Sequence, residues 1–232
     1  MTFPVVSDPA ETARHFIGAL KKSKRLESPY TRWLLDDALP ESACIGVMTL
    51  PIKPPDFADC GGVRDLGENN RKRTFFTPKL QEDFPTVKAF VEAFQRPEVA
   101  RQFSETCRLA PERLEGGFLR IEYMQDTDGM WLKPHPDITA KLFSMVIYLC
   151  TGPEAKNWGT DIYDANQKWV DRGMAKFNSA VIFVRSETTF HGFEKRPIIG
   201  VRRLLEVNYV VPDWRDRWQL CLPDRPVTLG RK

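Results

Sequence analysis

The chain has 232 residues, 42% of them hydrophobic and 28% charged, with a formal net charge of +3. These values exclude a disordered or fibrous chain and describe a water-soluble globular one with roughly a single domain's worth of core. No apolar run is long enough to span a bilayer, the N-terminus lacks the apolar stretch of a signal peptide, and the slight positive excess is scattered along the sequence. Neither a membrane nor a nucleic acid is therefore expected as a partner. The five cysteines, Cys44, Cys60, Cys107, Cys150 and Cys221, are odd in number and never two residues apart, which points to a reducing, cytoplasmic setting.

In chain order, Ser7-Asp8-Pro9 supplies a cap and an early proline, and Ala13, Phe16, Ile17 and Leu20 follow at helical spacing. PYTRWLLDDALP predicts a short strand and turn, and Pro40-Glu41 opens a helix carrying Ile45, Met48 and Leu50 as far as Pro51. From 51 to 78 the glycines at 61, 62 and 67, several prolines and ENNRKRT predict a long loop, either a lid or a solvated insertion. Helical pattern resumes in PTVKAFVEAFQ and again in PEVARQFSETCRL.

From Gly116 the texture changes to short runs rich in branched and aromatic residues: GGFLRIEYM, KLFSMVIYLC, DIYDA, KWVDR, SAVIFV and VRRLLEVNYVV. Turn material separates them, with no segment suited to a crossover helix, so an antiparallel barrel or jelly-roll sandwich is expected. The division predicted is a helical part over 1–115 packed on a β core over 116–232, an α+β chain dominated by its β half.

Two of the three histidines lie on that half. In WLKPHPDI, His135 and Asp137 are two apart, and extended residues at i and i+2 project to one side. His191 follows Asp137 by 54 residues, enough for several strands to run out and bring a strand end back. Two imidazoles and a carboxylate form a facial triad that leaves one side of an octahedral metal open and favours iron(II). Taken singly, His-x-Asp also fits a turn carboxylate beside a satisfied histidine, and His191, between Phe190 and Phe193, also fits a core histidine bonded to a carbonyl. Arg202, eleven residues after His191, is a third element. An arginine aimed into a barrel needs an anion, and its planar fork suits a carboxylate, so a dicarboxylate co-substrate would serve. Either Arg202 or Arg203 also fits a solvent-facing position; alternation turns the two to opposite sides.

Taken together, GGFLRIEYM, LKPHPD, KLFSMVIYL, NWGTDIYD and VIFVRSETTFHGFEKRPIIGVRRLLEVNYV resemble the 2-oxoglutarate- and iron(II)-dependent dioxygenases of the prolyl-4-hydroxylase-like type, over roughly residues 116–211. The resemblance implies a double-stranded β-helix (a jelly-roll, cupin-like core) with helices packed on it. It implies iron on His135, Asp137 and His191, with the distal carboxylate of 2-oxoglutarate on Arg202, or on Arg203 if the register slips by one. Dioxygen is the other co-substrate and ascorbate a reductant. The implied reaction is hydroxylation of an unactivated carbon in a small molecule or a peptide side chain, releasing succinate and carbon dioxide, with desaturation or ring closure as variants. Asp137 stands where related halogenases carry a small residue. Leu204 replaces a common serine and Thr160 a common glycine, which leaves open the co-substrate contacts other than the arginine.

Tyr123 and Lys133 are further candidate donors to the co-substrate, and Trp131, Trp158 and Arg73 candidate substrate contacts. Two other classes remain open: zinc-dependent hydrolysis or isomerisation on the same three ligands, and a cupin-like binding module without catalysis.

Overall fold

A computed structural model describes residues 6–57, 61–64 and 67–230. The first half contributes α1 (Pro9–Lys21), β1 (Lys24–Leu26), β2 (Arg32–Leu35), α2 (Glu41–Met48), a short 3-10 turn over Gly67–Lys72 and β3 (Thr74–Phe75). It continues with α3 (Pro78–Asp83), α4 (Pro85–Phe94), α5 (Pro97–Cys107) and α6 (Pro111–Leu114). The second half adds β4 (Phe118–Asp126), β5 (Leu132–His135), β6 (Lys141–Tyr148), β7 (Asp161–Tyr163), β8 (Trp169–Arg172), β9 (Ser179–Phe183), β10 (His191–Phe193) and β11 (Arg202–Val210). The capping expected of α1 is present, with the Asp8 carboxylate accepting the Glu11 amide at 2.7 Å ahead of Pro9.

Seven strands form one antiparallel sheet in the order β1-β2-β9-β6-β11-β4-β3, and four form a second in the order β5-β10-β7-β8. From β4 to β11 the chain passes repeatedly between the two sheets, which is the jelly-roll arrangement expected. The first 115 residues are not purely helical: β2 pairs with β9 and β3 with β4, so the N-terminal half extends both edges of the larger sheet. The long loop is also less open than its composition suggests, because it includes the 3-10 turn and β3. Cys60 lies outside the described residues; the other four cysteines are free and buried. No described helix is long and apolar enough to cross a membrane.

The larger sheet is covered on both faces, so its central strands lose the simple in-out pattern of a half-exposed sheet. Ile121 and Tyr123 of β4, Phe143 and Met145 of β6, and Leu205 and Tyr209 of β11 join Phe16, Phe94 and Phe103 of the helices in one core. The opposite face turns toward the smaller sheet. There Met124, Val146, Tyr148 and Leu204 pack with Ile162 and Phe193. On the same face stand Arg120, Glu122, Asp126, Ser144, Arg202 and Asn208, every one of them buried. The barrel is thus apolar toward the helices and strongly polar within, and the polar interior is where the candidate site lies.

Candidate functional site

His135 ends β5 and His191 begins β10, and the two residues are direct cross-strand partners. Their ring centroids lie 4.6 Å apart. The Nδ1 of His135 donates to the Lys133 carbonyl at 2.8 Å, and the Nδ1 of His191 to the Thr189 carbonyl at 3.1 Å. A carbonyl only accepts, so both protons sit on Nδ1 and both Nε2 lone pairs are left to face a ligand. This second bond to each ring is what fixes a metal-ligating imidazole. Phe183 packs on His191 with centroids 4.4 Å apart. Burial holds His191 down to about 4, against the opposing pull of Asp137, so the ring is neutral near pH 7 as metal ligation requires.

Asp137 follows β5 and is buried. Lys141 donates to one of its oxygens at 2.8 Å and the Ser144 hydroxyl to the other at 2.6 Å. Burial pushes its carboxyl up, but Lys141, followed by His191, outweighs that and holds it below the ordinary 3.8. Among the described residues no three His, Cys, Asp or Glu side chains converge as a ready metal cage. The structure brings the two imidazoles together and sets Asp137 beside them, tied to Lys141 and Ser144. The donor set still suits the metal that the sequence resemblance implies: two Nε2 lone pairs and a carboxylate with unused lone pairs on both oxygens.

Arg202 begins β11, points into the barrel and is 3% exposed. Its Nε donates to the Trp158 carbonyl at 2.7 Å and its Nη1 to Asp126 at 2.6 Å, and the guanidinium lies 4.0 Å from the Phe193 ring centroid. One anionic partner of this buried arginine is therefore the protein's own Asp126, which it shares with Arg64. Asp126 is wholly buried. Burial raises its carboxyl, and Arg64 and Arg202 together more than reverse that.

The remaining candidates separate from the histidines. Tyr123 and Arg203 lie on the opposite face of the sheet from Arg202, where Tyr123 belongs to the core under the helices; β alternation places them there. Burial raises the Tyr123 hydroxyl, with Arg203 opposing. Lys133 contributes backbone only, receiving His135 on its carbonyl and donating its amide to Gly62, while its side chain is exposed. Trp158 is buried, with its indole N–H on the Pro197 carbonyl, so it fills core rather than walling a substrate pocket. Trp131 lies against Gly62, where an added Cβ would fall 2.6 Å from the indole. Arg73 is engaged by Glu122 and Asn70.

Sequence reasoning missed Lys141, Ser144, Glu206 and Asp126; Arg64 stood out only as one of the cations of the 51–78 loop, with Arg71, Lys72 and Arg73, that could meet an acidic group. Three of those missed carried a readable signal: Asp126 shares parity with Arg120, Glu122 and Met124 on β4, and Ser144 and Glu206 interrupt branched runs at inward positions. Lys141 carried none.

Beneath Arg202 the turn Trp158-Gly159-Thr160 packs against Gly173, whose amide donates to the Thr160 carbonyl at 2.8 Å. A Cβ on Gly159 would lie 1.5 Å from the Gly173 carbonyl oxygen, so only glycine fits. Gly159→Ala is expected to cost more than the roughly 0.5–3 kcal/mol of an ordinary substitution, read as a loss of thermal stability.

No protein-family model matches this sequence, and no curated protein matches it. Solved structures do resemble it. A prolyl 4-hydroxylase from Phytophthora capsici is 13% identical with a TM-score of 0.55, over 92% of this chain and 68% of that one. A Pseudomonas putida prolyl-4-hydroxylase is also 13% identical with a TM-score of 0.51, over 90% and 97%. The non-haem α-ketoglutarate-dependent epimerase SnoN of nogalamycin biosynthesis is 10% identical with a TM-score of 0.50, over 85% and 82%. The alternating jelly roll, the cross-strand histidine pair and these likenesses agree: the chain has the prolyl-hydroxylase-like fold of the 2-oxoglutarate- and iron(II)-dependent dioxygenases.

Proposed function

We propose that the protein is a 2-oxoglutarate- and iron(II)-dependent dioxygenase that hydroxylates an unactivated carbon of a small molecule or a peptide side chain. The observation that carries this reading is the cross-strand pair His135 and His191, each with its Nδ1 proton spent on a backbone carbonyl and Asp137 beside it. Dioxygen would be the oxidant, activated at bound iron(II) with 2-oxoglutarate as the co-reductant: one oxygen atom would enter the substrate and the other succinate, as carbon dioxide leaves. The chain's own residues do the rest. His135, Asp137 and His191 would hold the metal, Lys141 and Ser144 orient the Asp137 carboxylate, and Arg202 would anchor the far carboxylate of the co-substrate inside the barrel. The buried rings of Phe183 and Tyr148 keep bulk water from the interior.

The test is an anaerobic titration of iron(II) and 2-oxoglutarate into the protein, following the weak visible absorption that a 2-oxo acid gives on meeting iron(II). The band is expected with both present and absent in His135→Ala. A folded protein that shows no band, and that instead retains zinc, would overturn the co-substrate assignment and favour hydrolytic zinc chemistry at the same ligands.

A further inference from the structure

Arg64 and Arg202 reach the barrel from distant parts of the chain, one from the loop that precedes the Gly67–Lys72 turn and one from the first residue of β11. Both close on Asp126. All three side chains are buried, Arg64 at 8% and Arg202 at 3% exposure, with Asp126 at 0%. A guanidinium stays charged at any pH a folded protein meets, so two positive charges share one carboxylate. The nearest other acid does not restore the balance, because Glu122 is already held by Arg73 and Arg120. Arg64 and Arg202 face Asp126 alone, one cation in excess, and the neighbouring buried cluster only balances itself, with Arg73, Arg120 and Lys141 against Glu122, Asp137 and Glu206. A divalent metal on Asp137 would widen that excess. Burying an uncompensated charge is costly, and an anion from outside is the remedy.

The donors are arranged for one. Arg202 uses its Nε on the Trp158 carbonyl and its Nη1 on Asp126, and the Nε of Arg64 is buried with no hydrogen-bond partner. Aromatic rings steady both forks: Phe193 lies 4.0 Å from the Arg202 guanidinium and Phe57 lies 5.7 Å from that of Arg64.

We propose that Arg64 and Arg202 together form a two-guanidinium seat for a ligand carboxylate, with Asp126 as the internal counter-ion that holds both forks in register. The proposed function names the ligand as a five-carbon dicarboxylic acid and its far carboxylate as the group that is seated; the seat itself follows from the charge imbalance and the unpartnered Nε. Arg64 thereby becomes a specificity-determining residue, selecting a dicarboxylate over a monocarboxylate of the same length.

Glutarate tests the seat without metal, since it has both carboxylates but no 2-oxo group. Metal-free protein is titrated with glutarate and with valerate by calorimetry, and in parallel with 2-oxoglutarate in the presence of iron(II). Wild type is expected to prefer glutarate to valerate. Arg64→Gln is expected to weaken glutarate by about 10-fold or more, as Arg202→Gln does, because each removes a charged hydrogen-bonding partner. Glutarate binding unchanged in a folded Arg64→Gln protein would overturn the proposal. Should that variant fail to fold, Arg64→Lys decides: it keeps the charge beside Asp126 but loses the fork and its free Nε, so undiminished glutarate affinity there overturns the seat as well. Wild type that binds glutarate but shows no 2-oxoglutarate absorption with iron would sink the co-substrate reading while leaving the seat. Wild type that binds neither acid would sink both.

Discussion

Replacing His191 with alanine is expected to abolish metal binding, with a loss larger than the roughly 10–100-fold that follows when only a supporting hydrogen bond to a ligand is removed. The ring is one of two whose Nε2 is free and whose Nδ1 is tied to backbone, so no other imidazole replaces it: the third histidine, His15 in the middle of α1, bonds the Asp37 carbonyl. The measurement is a calorimetric titration of manganese(II), a redox-stable stand-in for iron(II), into wild type and variant at pH 7. His191→Gln supplies the control for packing against Phe183, because it nearly conserves volume without restoring the imidazole. Wild-type affinity in a folded His191→Ala protein would show that the paired histidines are core residues, the bland reading of the same geometry.

The second large effect concerns stability. Arg120 is 1% exposed, and its guanidinium reaches Gln219, Glu206, Asn208 and Glu122 while lying 4.7 Å from the Phe75 ring centroid. Arg120→Met keeps most of the volume but strands these acceptors. Breaking a buried pair from one side costs about 3–5 kcal/mol, a large part of the roughly 5–15 kcal/mol that holds a domain folded. The melting temperature is expected to fall on the order of 10 °C. Acid provides a second readout. Burial raises the Glu206 carboxyl, but Lys141 and then Arg120 bring it well below the ordinary 4.5. A depressed carboxylate contributes stability that is fully present above its unfolded value and lost as pH falls through its folded one, so wild type keeps this contribution down to about pH 4.5 and loses it in stronger acid. Without Arg120 the folded value rises toward the unfolded one, and stability should change less with pH over that acid range. Unaltered melting and acid profiles would mean that the network is energetically idle.

How far the site was legible depended on the kind of interaction involved. His135 and Asp137 two residues apart could be read because strand alternation links spacing to side-chain direction with little help from the rest of the fold, whereas His191, several strands later, and Arg202 on the last strand rested on the resemblance as well. The same rule separated Arg202 from Arg203, and the two residues do face opposite sides. Tyr123 escaped the rule because the larger sheet is buried on both faces, where a tyrosine suits either side and parity alone does not say which holds the chemistry. Arg73 and Trp158 looked like surface or pocket residues; Glu122 and the Pro197 carbonyl account for them inside.

What the sequence determined by itself was local and periodic: the capped first helix, the change from helical to β texture at Gly116, and the antiparallel nature of the second half. Propensity, capping and alternation act over a few residues and survive without tertiary context. Only the tertiary structure decided which carboxylates meet which cations. Arg64 and Asp126 are 62 positions apart, and Lys141 and Glu206 are 65 apart, so no spacing rule connects them. Their partnership is imposed by closure of the barrel, which removes water from charged groups and leaves each of them only the neighbours the fold provides.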